Sequence, residues 1–262
     1  DKTTWNFRTA DVDAPIVSAY SPADDSIDVG VNADLVLTFN EAVVIGSGDI
    51  RVRQTVGDAV FETIAVGDVS GSSTTVITID PTLTFAGETG YYVEIDAPAF
   101  DDLAGNSYAG ISDKTVWSFT TADVDDPVVE TLSPLDGAIA VGINANLVIT
   151  FNEAVTAQVD SIYLKRSGDD VVFEAIPAVD ARVTGSGTAQ ITVNPTGTFE
   201  GETGYYVQID AAAFDDLAGN SYAGIADNST WNFITEDIAP PVVSTLSPVD
   251  NATAVGINPN LV

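Results

Sequence analysis

Cysteine, histidine and methionine are all missing from this chain of 262 residues. Without cysteine no disulfide staples the fold, and without either thiolate or imidazole much enzyme chemistry closes. There is no zinc site of the usual type, no Ser–His or Cys–His pair and no histidine base. Positive charge is scarce too: 8 Lys and Arg stand against 39 Asp and Glu, for a net charge of −31. A nucleic-acid binder needs the opposite sign, and an anionic membrane surface would repel such a chain. Long apolar runs are also lacking, none approaching the roughly 18 residues of a membrane helix, and no signal peptide opens the sequence. Neither nucleic acid nor membrane insertion is therefore expected. Hydrophobic residues still make up 45% of the chain, too many for a disordered acidic tail. The partner that the charge favours is a cation, with simple solubility as the plainer use of it.

What is present is repetition. Trp5-Asn6-Phe7, Trp117-Ser118-Phe119 and Trp231-Asn232-Phe233 recur at spacings of 112 and 114 residues. Leu37-Thr38-Phe39-Asn40-Glu41-Ala42-Val43 returns as Ile149-Thr150-Phe151-Asn152-Glu153-Ala154-Val155, and the 13 residues from Ala99 to Ile111 reappear unchanged from Ala213 to Ile225. Asp11-Val12-Asp13-Ala14-Pro15 returns as Asp123-Val124-Asp125-Asp126-Pro127, and more weakly as Asp237-Ile238-Ala239-Pro240-Pro241. The extra two residues of the later spacing fall between Phe173 and Val193. Two whole repeats are expected at residues 11–122 and 123–236. Residues 1–10 then read as the last strand of a preceding repeat and residues 237–262 as the first strands of a following one.

Within a repeat the apolar residues alternate with period two, as Leu35, Leu37 and Phe39 do, and no stretch carries a helical period. Seven strands are expected, near 16–20, 34–40, 49–54, 59–66, 74–80, 91–96 and 115–121. Turn-rich segments such as Ser21-Pro22-Ala23-Asp24-Asp25 separate them. Seven short strands in such a length point to an all-β fold, a tandem of immunoglobulin-like seven-stranded β-sandwiches. Gly90-Tyr91-Tyr92-Val93 is placed to supply a tyrosine corner, so the Tyr and Trp residues read as core and corner pieces.

Four features together resemble the S-layer-type bacterial Ig-like repeat: the Asp/Pro linker, Phe-Asn-Glu at the end of strand two, Asp-Leu-Ala-Gly-Asn, and the closing Trp-x-Phe-x-Thr. The resemblance runs over the whole chain. That family occurs in large surface adhesins and S-layer proteins, which implies an extracellular, cell-surface, structural or adhesive setting and identifies no ligand.

If each strand reverses the one before it, three acidic segments distant in sequence meet at one pole of each sandwich. In the first repeat they bring Asp11, Asp13, Glu41, Asp101, Asp102 and Asn106. In the second they bring Asp123, Asp125, Asp126, Glu153, Asp215, Asp216 and Asn220. Clustered carboxylates repel one another unless a cation neutralises them. Ca²⁺ takes six to eight oxygens from such groups, whereas Mg²⁺ prefers a small octahedral site and keeps its water. Calcium at the linker is the expectation; an Asx-type turn and a polar linker are the plainer alternative. The leading functional reading is a spacer or stalk stiffened by Ca²⁺ between neighbouring repeats. Lateral self-assembly into a layer or filament, and weak multivalent binding of glycan or protein, are the alternatives. A glycosidase using Glu41 and Asp101 has no evident cleft to work in.

Overall fold

The computed structural model describes residues 5–256 and divides into two compact units, Asp1–Asp125 and Asp126–Val262. In the first unit the chain forms β1 (Val17–Ser21), β2 (Ser26–Val29), β3 (Leu35–Ile45), β4 (Asp49–Gln54), β5 (Val60–Ala65), β6 (Thr74–Ile79), β7 (Gly90–Ile95), β8 (Phe100–Asp102) and β9 (Ser118–Thr121). One sheet has the order β1-β3-β6 with β8 joined to the far half of β3; the other runs β2-β9-β7-β4-β5. A single 3-10 turn at Val66–Asp68 follows β5.

The second unit repeats the plan with β10 (Val129–Ser133), β11 (Ala138–Val141), β12 (Leu147–Ala157), β13 (Ser161–Arg166), β14 (Val172–Pro177), β15 (Val183–Thr184), β16 (Thr188–Val193), β17 (Gly204–Ile209), β18 (Phe214–Asp216) and β19 (Asn232–Thr235). Its sheets run β10-β12-β16-β15, with β18 on β12, and β11-β19-β17-β13-β14. The added strand β15 lies in the segment where the repeat is two residues longer.

All seven expected strands are present in the first unit, and β2 and β8 are added to them. Direction does not reverse at every step, because β2 lies parallel to β9. Of the flanking fragments expected to be strands, residues 5–10 and 237–256 form none; residues 1–4 and 257–262 lie outside the described residues.

Each core is the inward half of the alternation. Leu35, Leu37, Phe39 and Val43 of β3 share one core with Tyr91, Val93 and Phe119 of the opposite sheet and with Trp117 just before β9, all essentially without solvent contact. Burying these side chains supplies the main driving force, about 1.5–3 kcal/mol for each large residue. The polar atoms carried in with them are bonded. The Trp117 indole N–H donates to the Pro22 carbonyl at 2.8 Å, and Trp231 does the same to Pro134 at 2.8 Å. The Tyr91 hydroxyl accepts the Ala86 N–H at 3.0 Å and Tyr205 that of Glu200 at 3.0 Å, which is the tyrosine corner in each unit.

Candidate metal centre

The site of the first unit is built around β3. That strand pairs with β6 in two stretches, and the register shifts between Thr38 and Val43. Beyond the break, Val43–Ile45 take β8 as a partner. Asn40 and Glu41 thus sit in a bulged stretch inside a long strand and not at its end, as the sequence had suggested. Bulges of this kind re-aim side chains. Glu41 keeps the parity of Leu35, Leu37 and Phe39, so it occupies an inward position and is half-buried.

Asn40 fixes the arm that precedes β1. Its side-chain oxygen accepts the Ile16 N–H at 2.8 Å, and its own N–H donates to the Ile16 carbonyl at 3.0 Å. Val128 and Asn152 form the same pair of bonds at 2.8 and 3.0 Å. In the sequence this asparagine is simply the middle residue of Phe-Asn-Glu, with no role evident from its type alone. Its recurrence at the same place in both repeats was the available signal. On the arm itself, the Asp13 N–H donates to Asp11 Oδ1 at 3.1 Å, an Asx turn that curls the chain.

Asp102 comes from β8, where it shares the inward face with Phe100 and is only 2% exposed. Its Oδ1 accepts the N–H groups of Ala104 and Asn106, both at 2.8 Å, and its Oδ2 accepts the Asn106 amide at 2.7 Å. Burial by itself would push this carboxyl up, but the Asn106 amide and the surrounding N–H groups hold it below the ordinary carboxylate range. Gly105 completes the turn at φ +94, where a side chain would be strained. Asp216 is held in the same way by Gly219 N–H at 2.6 Å, Asn220 N–H at 2.8 Å and the Asn220 amide at 2.7 Å.

These elements bring Asp11, Glu41 and Asp102 together, with one carboxylate oxygen of each within 4.8 Å of the others. Asp123, Glu153 and Asp216 form the same grouping. Among the described residues no Lys or Arg forms an ion pair with any of the three acids of the first grouping. The other expected ligands stand apart. Asp101 and Asp215 point to the opposite face of their short strands, because side chains alternate. Each accepts a serine hydroxyl instead, from Ser107 at 2.6 Å and Ser221 at 2.7 Å. Asp13 and Asp125 turn their N–H groups toward Asp11 and Asp123 and are not in the groupings, nor is Asp126. Asn106 and Asn220 adjoin the groupings as the amides that brace Asp102 and Asp216.

A donor set of hard oxygens fits Ca²⁺ better than a metal that prefers nitrogen or sulfur. With Oδ1 of Asp102 accepting two N–H groups and Oδ2 only the Asn106 amide, Oδ2 keeps a lone pair that can take a cation, beside the carboxylates of Asp11 and Glu41. Backbone carbonyls and water would complete the shell.

A family model described as bacterial Ig-like domain matches residues 11–121 and again residues 123–235. No curated protein matches the chain. Among solved structures the chain is similar to an I-band fragment of titin, at 9% identity over 86% of this chain and 66% of that one, with a TM-score of 0.36. It is also similar to the N-terminal part of the bacterial S-layer protein SbsC, at 12% identity over 85% of this chain and 44% of that one, with a TM-score of 0.30. A third is the BSP domain of a biofilm-associated protein, at 13% identity over 86% and 30% of the two chains, with a TM-score of 0.22. The chain thus spans at most 66% of each of these, and at such scores none of the likenesses bears on function.

Proposed function

Because the chain belongs to the bacterial Ig-like domain family, in two consecutive copies, we propose that it is a structural spacer of an extracellular bacterial surface protein. In this reading each repeat binds Ca²⁺ where its N-terminal arm meets its body. The observation that carries it is the grouping of Asp11 from the arm with Glu41 and Asp102 from two strands far apart in sequence. A cation held by all three would neutralise their mutual repulsion and tie the arm to the sandwich, leaving less hinge freedom to the preceding chain. Asn40 and the Asp102–Asn106 loop already place two of the three partners, so little ordering is left for the ion to impose.

A non-catalytic role is supported by the same geometry. The pair a glycosidase would need, Glu41 and Asp101, is split between an inward position and a face where Asp101 is bonded to Ser107. Hydrogen exchange of residues 11–16, measured in calcium and in chelator, tests the spacer reading. Slower exchange of this arm in calcium is expected, and equal rates in the two buffers would overturn it.

A further inference from the structure

The two repeats share the segment Ala99–Ile111 residue for residue, as Ala213–Ile225, yet they differ on one sheet face. In the first unit ion pairs link the outward side chains of β4 and β7, and the groove beside them, about 620 Å³, is lined by the charged Arg53, Asp58, Glu94, Asp113 and Lys114. Arg51 bonds Asp96 at 2.7 and 3.2 Å and reaches Asp49 at 3.3 Å, while Arg53 bonds Glu94 at 2.7 Å. In the second unit Arg51, Asp49 and Glu94 are replaced by Tyr163, Ser161 and Gln208, and Asp96 is kept as Asp210. The groove of the second unit, about 450 Å³ on β13 and β17, is lined instead by Tyr163, Lys165, Gln208 and Asp210 with apolar residues, and its volume is within the range of small-ligand sites.

The chemistry of this groove is uncommitted in a specific way. Asp210 Oδ2 accepts the Ser161 N–H at 3.2 Å and the Tyr163 hydroxyl at 3.3 Å, and no bond to its Oδ1 is present among the described residues. Lys165 lies two residues along β13 on the other side of Tyr163, with its ammonium 6.0 Å from the ring centroid. Of the six Lys and Arg in the two repeats, Lys165 alone has no salt bridge among the described residues. A carboxylate that only accepts and an ammonium that only donates therefore flank one aromatic ring, Asp210 at its hydroxyl and Lys165 over its face. Gln208 is occupied, its amide donating to the Ala226 carbonyl.

We propose that this face of the second unit is a saccharide site taking a neutral hexose unit, which packs on Tyr163 between Lys165 and Asp210. Sugar hydroxyls both donate and accept, so one ring can answer both flanking groups, and its C–H surface suits the aromatic ring. A net charge of −31 disfavours an anionic sugar at the same place. The inference goes beyond the spacer reading and does not rest on calcium, since it concerns a different face.

The test is a titration of the ¹⁵N-labelled 262-residue chain in chelator with cellohexaose, maltohexaose, a neutral mannan oligomer and, as the acidic comparison, an oligogalacturonate. At least one neutral sugar should shift the amides of 161–165 and 208–211 while leaving 49–53 and 94–97 of the first unit unmoved. The triple variant Ser161→Asp, Tyr163→Arg and Gln208→Glu installs the first unit's own residues in the same fold, and it should weaken binding at least tenfold. Lys165→Gln should weaken binding with the remaining face intact. The proposal is overturned if no neutral sugar moves these amides at about 10 mM, a concentration that would reveal millimolar binding. Shifts that survive in the triple variant, or binding of the galacturonate alone, overturn it as well.

Discussion

Replacing Tyr91 by Phe removes one oxygen atom from the first unit and tests how the corner holds the fold. The ring stays: it is fully buried against Phe61, Phe85 and Phe119, with centroids 5.1, 4.8 and 5.8 Å away. Packing is thus unchanged and no cavity of consequence opens. What is lost is the acceptor for the Ala86 N–H, 3.0 Å away. A fully buried N–H left unpaired costs about 1–3 kcal/mol. Ala86 itself is exposed, so water can partly replace the hydroxyl and the lower end applies, about 1–2 kcal/mol. Exchange of the slowest amides of β3 and β7 should then accelerate by roughly 5- to 30-fold, while those of β12 and β17 keep their rates. Tyr92→Phe is the control, because that hydroxyl bonds exposed Asp58 at 3.2 Å on the outer face. Its effect should be much smaller. Unaltered exchange in Tyr91→Phe, or equal damage from both variants, would show that the corner hydrogen bond does not stabilise the unit.

Two further outcomes follow from the same structure. Asn40→Ala removes the acceptor for the Ile16 N–H, so it should cost about 1 kcal/mol by urea unfolding and weaken calcium binding severalfold. Asp227 accepts the hydroxyls and N–H groups of Thr230 and Ser229, all at 2.7–2.9 Å, and these bonds hold its carboxyl far below the ordinary range. A depressed folded pKa gives stability that is fully present above the unfolded value near 3.9 and lost as pH falls through the folded one. Asp227→Asn should therefore destabilise the second unit at pH 7, and its deficit should shrink as unfolding is measured further below about pH 4.

The long alternating strands were legible because burial writes their pattern directly into the sequence. Strands β2 and β8 were not, since runs of 4 and 3 residues carry too little alternation to be recognised. Asp28, at φ +55, further interrupts β2, and its parallel pairing with β9 follows from no local signal. Missing β8 had a consequence for the site. Without a strand at Phe100–Asp102, Asp101 and Asp102 read as two equal ligands, whereas alternation sends Asp102 inward and Asp101 to Ser107. The convergence of the arm with Glu41 and the Asp-Leu-Ala-Gly-Asn loop was legible from strand order. The bulge that carries Glu41 was not, because it depends on β3 changing partners from β6 to β8. The altered face at Tyr163 was within reach of sequence comparison, in the loss of Arg51, Asp49 and Glu94 at equivalent strand positions of the two repeats.

Isothermal titration of the 262-residue chain with CaCl₂ asks whether each repeat holds calcium on its grouped carboxylates. Two sites are predicted, one for each grouping, with dissociation constants of about 0.1–1 mM, as in extracellular calcium modules. Glu41→Gln should abolish one site and Glu153→Gln the other, each leaving its neighbour intact. Absence of calcium uptake at millimolar concentration, or two unchanged sites in both variants, would contradict the account.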